Sequence, residues 1–156
     1  MSADKRQSEA TIRAAKPGDA ATLAVLLEQL GYPAAPEAVV ERLARLDQLR
    51  TAVVLVAELH GEVVGLATSH VFPSIHATPP AAWLTTLVVH DAHRGAGIGA
   101  ELCRVVEEWA GTQGAIRISL TSGLQRAGAH MFYERLGYQR TGVRLGKTLT
   151  PASPPT

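Results

Sequence analysis

Leu87-Val88-Val89-His90-Asp91-Ala92-His93-Arg94-Gly95-Ala96-Gly97-Ile98-Gly99-Ala100 is the stretch that decides the fold of this chain. An apolar strand end runs into a turn where three glycines alternate behind an arginine, and the turn opens directly into a helix. Leu102, Val105, Val106 and Trp109 give that helix one apolar stripe, while Glu101, Arg104, Glu107 and Glu108 give it a wet face. Glycine lets a backbone approach an anion closely, and the unpaired N–H groups of a helix start supply a positive field. A phosphate-bearing ligand can be held there without a crowd of basic side chains.

Outward from the turn, helical and extended patterns alternate. Thr11 to Ala15 reads as a first strand, ended by Pro17-Gly18-Asp19. Asp19 is placed to cap a helix with Leu23, Leu26, Leu27 and Leu30 on one face, and Gly31-Tyr32-Pro33 ends it. Pro36 suits the first turn of a second helix whose stripe is Val39, Leu43 and Leu46. Ala52 to Leu59 and Val63 to Val71 are β-rich runs joined by a hairpin turn, His60-Gly61-Glu62. A proline-rich loop is expected from Phe72 to Pro80, then a fourth strand from Trp83 to Val89. Ile116 to Thr121 reads as a fifth strand, and Ala127 to Leu136 as a last helix closed by Gly137. Tyr138 to Leu149 can supply one or two more strands. The early hairpin is antiparallel and the later strand–helix–strand crossover is parallel. The class is therefore α/β, of the α+β type, with a mixed sheet.

At 156 residues, 46% hydrophobic and 19% charged, the chain has the size and make-up of one globular domain. Residues 1–9 read as a flexible N-terminus, 10–149 as the domain and 150–156 as a flexible tail without side chains to bury. Fifteen basic against fourteen acidic residues leave a net charge of +1, so no nucleic-acid partner is expected. The longest apolar run, Ala52 to Ala57, falls far short of the ~20 residues that span a bilayer. With a polar start from Met1 to Glu9, no membrane partner and a cytoplasmic location are expected. The lone cysteine, Cys103, excludes an intrachain disulfide and a cysteine-only zinc site, and it reads as a small core residue. His90-x-x-His93 finds no third and fourth ligand, so no metal is expected.

Gly95-x-Gly97-x-x-Ala100 has the form of a dinucleotide fingerprint. That fingerprint needs an acidic residue about 20 positions on, and no Asp or Glu lies between Glu108 and Glu134. Gly146-Lys147-Thr148 lacks the earlier glycine and the following helix of a P-loop. Arg94-Gly95-Ala96-Gly97-Ile98-Gly99 after Leu87-Val88-Val89 resembles instead the acetyl-coenzyme-A signature of the GNAT N-acetyltransferase superfamily, (Arg/Gln)-Gly-x-Gly-x-(Gly/Ala). Ala129-His130-Met131-Phe132-Tyr133-Glu134-Arg135-Leu136-Gly137-Tyr138 is similar to the same family's late helix and following strand. The resemblance runs from Thr11 to about Leu149. It implies the GNAT acyl-CoA N-acyltransferase fold, a mixed sheet of about 6–7 strands flanked by about four helices. It also implies an N-acetyltransferase that uses acetyl-CoA and moves its acetyl group to a primary amine by direct attack in a ternary complex.

By the same resemblance the diphosphate of acetyl-CoA rests on the backbone of Arg94, Gly95, Ala96, Gly97, Ile98, Gly99 and Ala100. The pantetheine arm adds to the fourth strand at Leu87, Val88 and Val89, where that strand splays from the fifth. Tyr133 falls where the family often has a tyrosine that protonates the departing thiolate. A phenol near pKa 10 stays protonated at neutral pH and can donate to a thiolate whose acid lies near 8.5. Gln125 is nearest to the family's cofactor-contacting asparagine, and Thr85 stands where many members have a glutamate base. Without that base, an alkylamine of pKa ~10.4 is neutral to about one part in 10³ near pH 7.4, a handicap of roughly 4 kcal/mol. His70, His76 and His90 are candidate bases, and water relayed through Thr85 and Thr86 is the other route. Tyr32, His70 and Thr85 are candidates for the acceptor side. The expected acceptor is a small-molecule or peptide amine, and the resemblance implies a homodimer. A non-catalytic acyl-CoA-binding or sensor module on the same fold is the alternative, favoured by Thr85 and opposed by Tyr133. A nucleotide-binding oxidoreductase is a remote third.

Overall fold

The computed structural model describes residues 8–122 and 127–152. Two compact units divide the chain, Met1–Leu120 and Thr121–Thr156. The first holds one mixed sheet whose strands lie in chain order: β1 (Thr11–Ala14), β2 (Ala52–Leu59), β3 (Glu62–Ser74), β4 (Ala77–Val89) and β5 (Ile118–Leu120). The pairings from β1 through β4 are antiparallel, and β5 runs parallel to β4. α3 (Ile98–Thr112) makes the crossover that this parallel pair requires. α1 (Ala20–Leu30) and α2 (Pro36–Asp47) join β1 to β2.

Alternation along β3 sorts the helices onto two faces. Leu66 packs in one cluster with Leu23 and Leu26 of α1, Val39 of α2, Val56 of β2 and Val88 of β4. Its neighbour Gly65 faces the other way. A Cβ there would lie 3.0 Å from Leu102 Cδ1 and 3.4 Å from Ile98 Cγ2, so the missing side chain is what lets α3 settle against the sheet. Ile98, Leu102, Cys103, Val106 and Ala110 form the buried stripe of α3.

Five strands, not about six to seven, lie among the described residues. The missing ones were expected in the second unit, where α4 (Ala127–Arg135) is closed by Gly137 at φ +94° but Tyr138 to Leu149 form no strand. Val143, Leu145 and Leu149 there are each more than three-quarters exposed, so the segment has no buried face to hold it extended. The fifth strand shortens from the expected 116–121 to three residues.

The loop expected from Phe72 to Pro80 is instead a long hairpin, with only Ile75 and His76 in the turn. Phe72 pairs with Ala81 and Ser74 with Ala77, and the register breaks between them. Pro73, Pro79 and Pro80 fall inside that break, where the ladder asks for no N–H donor. Asp19 sits at the start of α1 but its side chain makes no cap. Arg13 takes both carboxylate oxygens at 2.9 Å, and the Lys16 N–H donates to one of them at 2.8 Å. Arg13 Nε also reaches Glu58 at 2.6 Å, which ties β1 and β2 to the start of α1.

Candidate active site

The glycine-rich turn is built by conformations that L side chains resist. Gly95 lies at φ +84° and Gly97, the residue before α3, at +80°. Residues 94–97 are exposed, while Ile98 is buried and anchors the helix start. Among the described residues, the N–H groups of Ile98, Gly99 and Ala100 meet no acceptor, and the ladder opens with Glu101 N donating to Gly97 O at 3.1 Å. The approach to the turn is pinned twice. The His90 N–H donates to Val64 O at 2.8 Å, and the Asp91 N–H to Gln29 Oε1 of α1 at 3.0 Å. Arg94 folds back so that its Nε donates to Val89 O at 3.3 Å. Glu101, the acid in the first turn of α3, is clamped on both oxygens by Arg104 at 3.1 and 2.6 Å. Those hydrogen bonds hold its carboxyl below the usual range and offset a charge that would repel an anion.

Strand β4 reaches the turn with one edge open. Among the described residues β5 pairs with it only at Ala82, Trp83 and Leu84, so Thr85 to Val89 have β3 on one side and no strand on the other. The opening coincides with a bulge. Thr68 pairs with Thr86 and Ser69 with Leu84, which leaves Thr85 as the extra residue. Ser69, fully buried, donates its hydroxyl to Trp83 O at 2.8 Å, and the Thr68 and Thr85 hydroxyls lie 2.6 Å apart. The bulge puts consecutive residues, Thr85 and Thr86, on the wall of one cleft.

That cleft holds about 270 Å³ between α1, α2 and strands β2 to β4. Its apolar lining includes Leu23 and Leu27 of α1 and Leu43 and Leu46 of α2, while Thr68, His70, Thr85, Thr86 and Arg42 are polar. Leu66, Thr68 and His70 alternate along β3 and so share this face. Two of the three residues expected on the acceptor side, His70 and Thr85, therefore meet here. Tyr32 does not line the cleft. It is 68% exposed in the turn after α1. His76 is exposed at the tip of the β3–β4 hairpin, and His90 spends Nδ1 accepting the Ala92 N–H at 3.1 Å. Arg42 was missed in the sequence, where its place beside the Leu43 and Leu46 stripe was the available signal.

In the second unit, Tyr133 lies half-buried on α4 with its ring edge-on to Phe132 and Tyr138, at centroid distances of 5.2 and 5.7 Å. Gln125 lies outside the described residues. Among those described, no group of three or more His, Cys, Asp or Glu could hold a metal ion, and no helix is long and apolar enough to cross a membrane.

Comparison with known proteins agrees with this architecture. Residues 22–138 match the model of the acetyltransferase (GNAT) family. The chain is similar to an aminoalkylphosphonate N-acetyltransferase of Salmonella typhimurium, 36% identical over 90 residues that span 58% of either protein. Among solved structures it is similar to a transcriptional regulator from Bacillus halodurans, with TM-score 0.84 and 26% identity over 90% of this chain and 100% of that one. An aminoglycoside N-acetyltransferase in complex with CoA shares the fold at TM-score 0.80 and 17% identity, over 93% of this chain and 97% of that one.

Proposed function

The chain belongs to the GNAT acetyltransferase family, and on that premise we propose that it transfers the acetyl group of acetyl-CoA to a primary amine held in the cleft beside Thr85. One observation carries this reading: the open edge of β4 from Thr85 to Val89 leads straight into the glycine-rich turn. An extended chain bearing amides matches such an edge, and a diphosphate matches the N–H groups at the start of α3, so the residues present fit coenzyme A. On this reading Leu87, Val88 and Val89 take the pantetheine arm, Arg94 to Ala100 take the diphosphate, and Gln125 is assigned beside them from sequence alone.

When bound, acetyl-CoA supplies an activated thioester. The cleft meets the open edge at Thr85, which supports direct attack in a ternary complex. Leu23, Leu27, Leu43 and Leu46 shed water from the amine and so disfavour its charged form. His70 is the imidazole among the lining residues, and that supports assigning it, of the candidate bases, the amine's proton. Tyr133 is assigned the proton for the departing thiolate, on motif position and phenol chemistry. The Salmonella relative is named for an aminoalkylphosphonate, so a small amine is the acceptor class to test first. A homodimer rests within this proposal on the resemblance alone, and a cytoplasmic location on the sequence reading alone.

Among the described residues no Asp or Glu lines the cleft, and that favours a second reading, a non-catalytic acyl-CoA-binding or sensor module. Calorimetry with acetyl-CoA and a thiol-release assay over a panel of amines separate the two. Acetyl transfer expects both binding and release, whereas binding without release from any amine supports the sensor. Absence of binding overturns both. Tyr133→Phe is expected to keep cofactor affinity and lower kcat by about 10²–10⁴; unchanged kcat removes Tyr133 as the acid.

A further inference from the structure

Arg42 stands out in the cleft because it has no counter-charge among the described residues. Its neighbours one helical turn away are Ala38, Val39, Arg45 and Leu46, none of them acidic. Arg45, by contrast, pairs with Glu41 at 2.7 Å. Among the described residues Arg42 forms no ion pair, and no carboxylate shares the cleft with it. A guanidinium is cationic at every physiological pH and offers a planar fork of donors. Arg42 is solvent-exposed and lines the cleft together with Val39, Leu43 and Leu46, so its fork of donors is accessible to an entering ligand.

We propose that Arg42 is a specificity residue which binds an acidic group on the acceptor, so that the amine acetylated here also carries a carboxylate, phosphonate or phosphate. The inference rests on the acetyl-transfer reading for the identity of the reacting amine, and on the cleft itself for the anion. The same lining residues run from Arg42 on α2 to Thr85 at the open edge of β4. An acceptor whose anion is held by Arg42 therefore lies in the same cleft as Thr85, beside which its amine reacts on this reading. A fork of two N–H donors suits the two oxygens of a carboxylate or phosphonate, which a point charge does not match as well. A polycationic acceptor meets a lone cation and no carboxylate, an arrangement that repels it. The volume, about 270 Å³, lies just below the ~300–1,000 Å³ of drug-sized ligand sites and suits a small bifunctional molecule.

The test uses the intact protein saturated with CoA. Calorimetry compares 3-aminopropylphosphonate and β-alanine with n-butylamine and β-alaninamide. At least tenfold tighter binding of the two acids is expected. Arg42→Gln should collapse that ratio toward one, and Arg42→Lys should retain part of it. Arg45→Gln, on the same helix but outside the cleft lining, should keep the ratio. CoA affinity should be unchanged in all three variants. Thiol release from acetyl-CoA with the same four amines is read alongside. Tight, Arg42-dependent binding of the acids without release upholds the anion site and overturns acetyl transfer to them. Equal binding of acids and neutral amines, no binding of either, or a ratio that survives Arg42→Gln overturns the inference.

Discussion

Gly65→Ala places a methyl group in the tightest contact between the sheet and α3, and its effect can be worked from the contacts it would make. The added carbon would lie 3.0 Å from Leu102 Cδ1, 3.3 Å from Ala57 Cβ and 3.4 Å from Ile98 Cγ2. Carbon pairs rest at about 3.5–4.0 Å, so the first contact must open by roughly half an ångström. Leu102 is 0% exposed and Ile98 2%, which leaves neither side chain room to rotate away. The helix start has to give, at the ~1–3 kcal/mol typical of overpacking. Ile98 is the first residue of α3, so the strain falls on the N–H groups assigned to the diphosphate. Urea unfolding should show that loss, and calorimetry should show CoA binding weakened about fivefold, which corresponds to ~1 kcal/mol. Gly111→Ala is the control. It lies near the end of the same helix with nothing within 4 Å of an added Cβ, and should be neutral or stabilising by up to ~1 kcal/mol. If Gly65→Ala unfolds within about 0.5 kcal/mol of wild type and binds CoA equally well, the close approach does not position the turn.

Two further outcomes follow from ionisable groups in the first unit. Burial pushes the Cys103 thiol up to about 12, and the charge of Glu107 adds to the rise, so native protein should resist a disulfide reagent at pH 8 until it unfolds; modification at the rate of a free thiol would refute this. The hydrogen bonds from Arg13 hold the Asp19 carboxyl below its ordinary range, with the Lys16 N–H helping. Because the folded value is the lower one, the stabilisation is present above the unfolded carboxylate pKa of about 3.9 and is lost as pH falls through the folded value. The stability gap between wild type and Arg13→Gln should therefore narrow as pH drops from 5 toward 2, and a gap that stays constant over that range would refute the pairing.

Local pattern carried much of the fold. The helix α3, the strand β2 and the glycine turn follow from spacing within a few residues and formed where expected. By contrast, β3 runs on to Ser74, and the buried stripe of α3 takes Ile98, Cys103 and Ala110 with Leu102 and Val106, leaving Val105 and Trp109 half-buried. The misreadings involve partners far away in sequence. Asp19 has the chemistry of a cap, but Arg13 reaches it first and spends both its oxygens. Pro73, Pro79 and Pro80 argue for a loop until the pairing of β3 with β4 shows a register break that absorbs them. The bulge at Thr85 is invisible locally, because it is fixed by Ser69, sixteen positions earlier on another strand and bonded to Trp83 O. Without the bulge, alternation would put Thr85 and Thr86 on opposite faces, and the cleft would lose one of its three threonine hydroxyls.

The missing carboxylate and the unpaired arginine bear on one problem, the amine's proton. An ammonium of pKa ~10.4 at neutral pH carries a handicap of roughly 4 kcal/mol. In a free amino acid or aminophosphonate the molecule's own anion helps hold that ammonium charged. On the proposed reading an anion bound by Arg42 would be neutralised there, and the ammonium would lose its internal counter-charge while the apolar lining of Leu23, Leu27 and Leu43 strips its water. Both changes lower its pKa, and two units of lowering would recover about 2.7 kcal/mol. A glutamate at position 85 would have done the opposite to the ammonium until it took the proton. With Thr85 there instead, the residual proton is within the capacity of a weaker base such as His70, whose side chain shares the same cleft. An acceptor without an acid group would leave Arg42 uncompensated beside the ammonium, and the two like charges would then oppose binding before any proton could move.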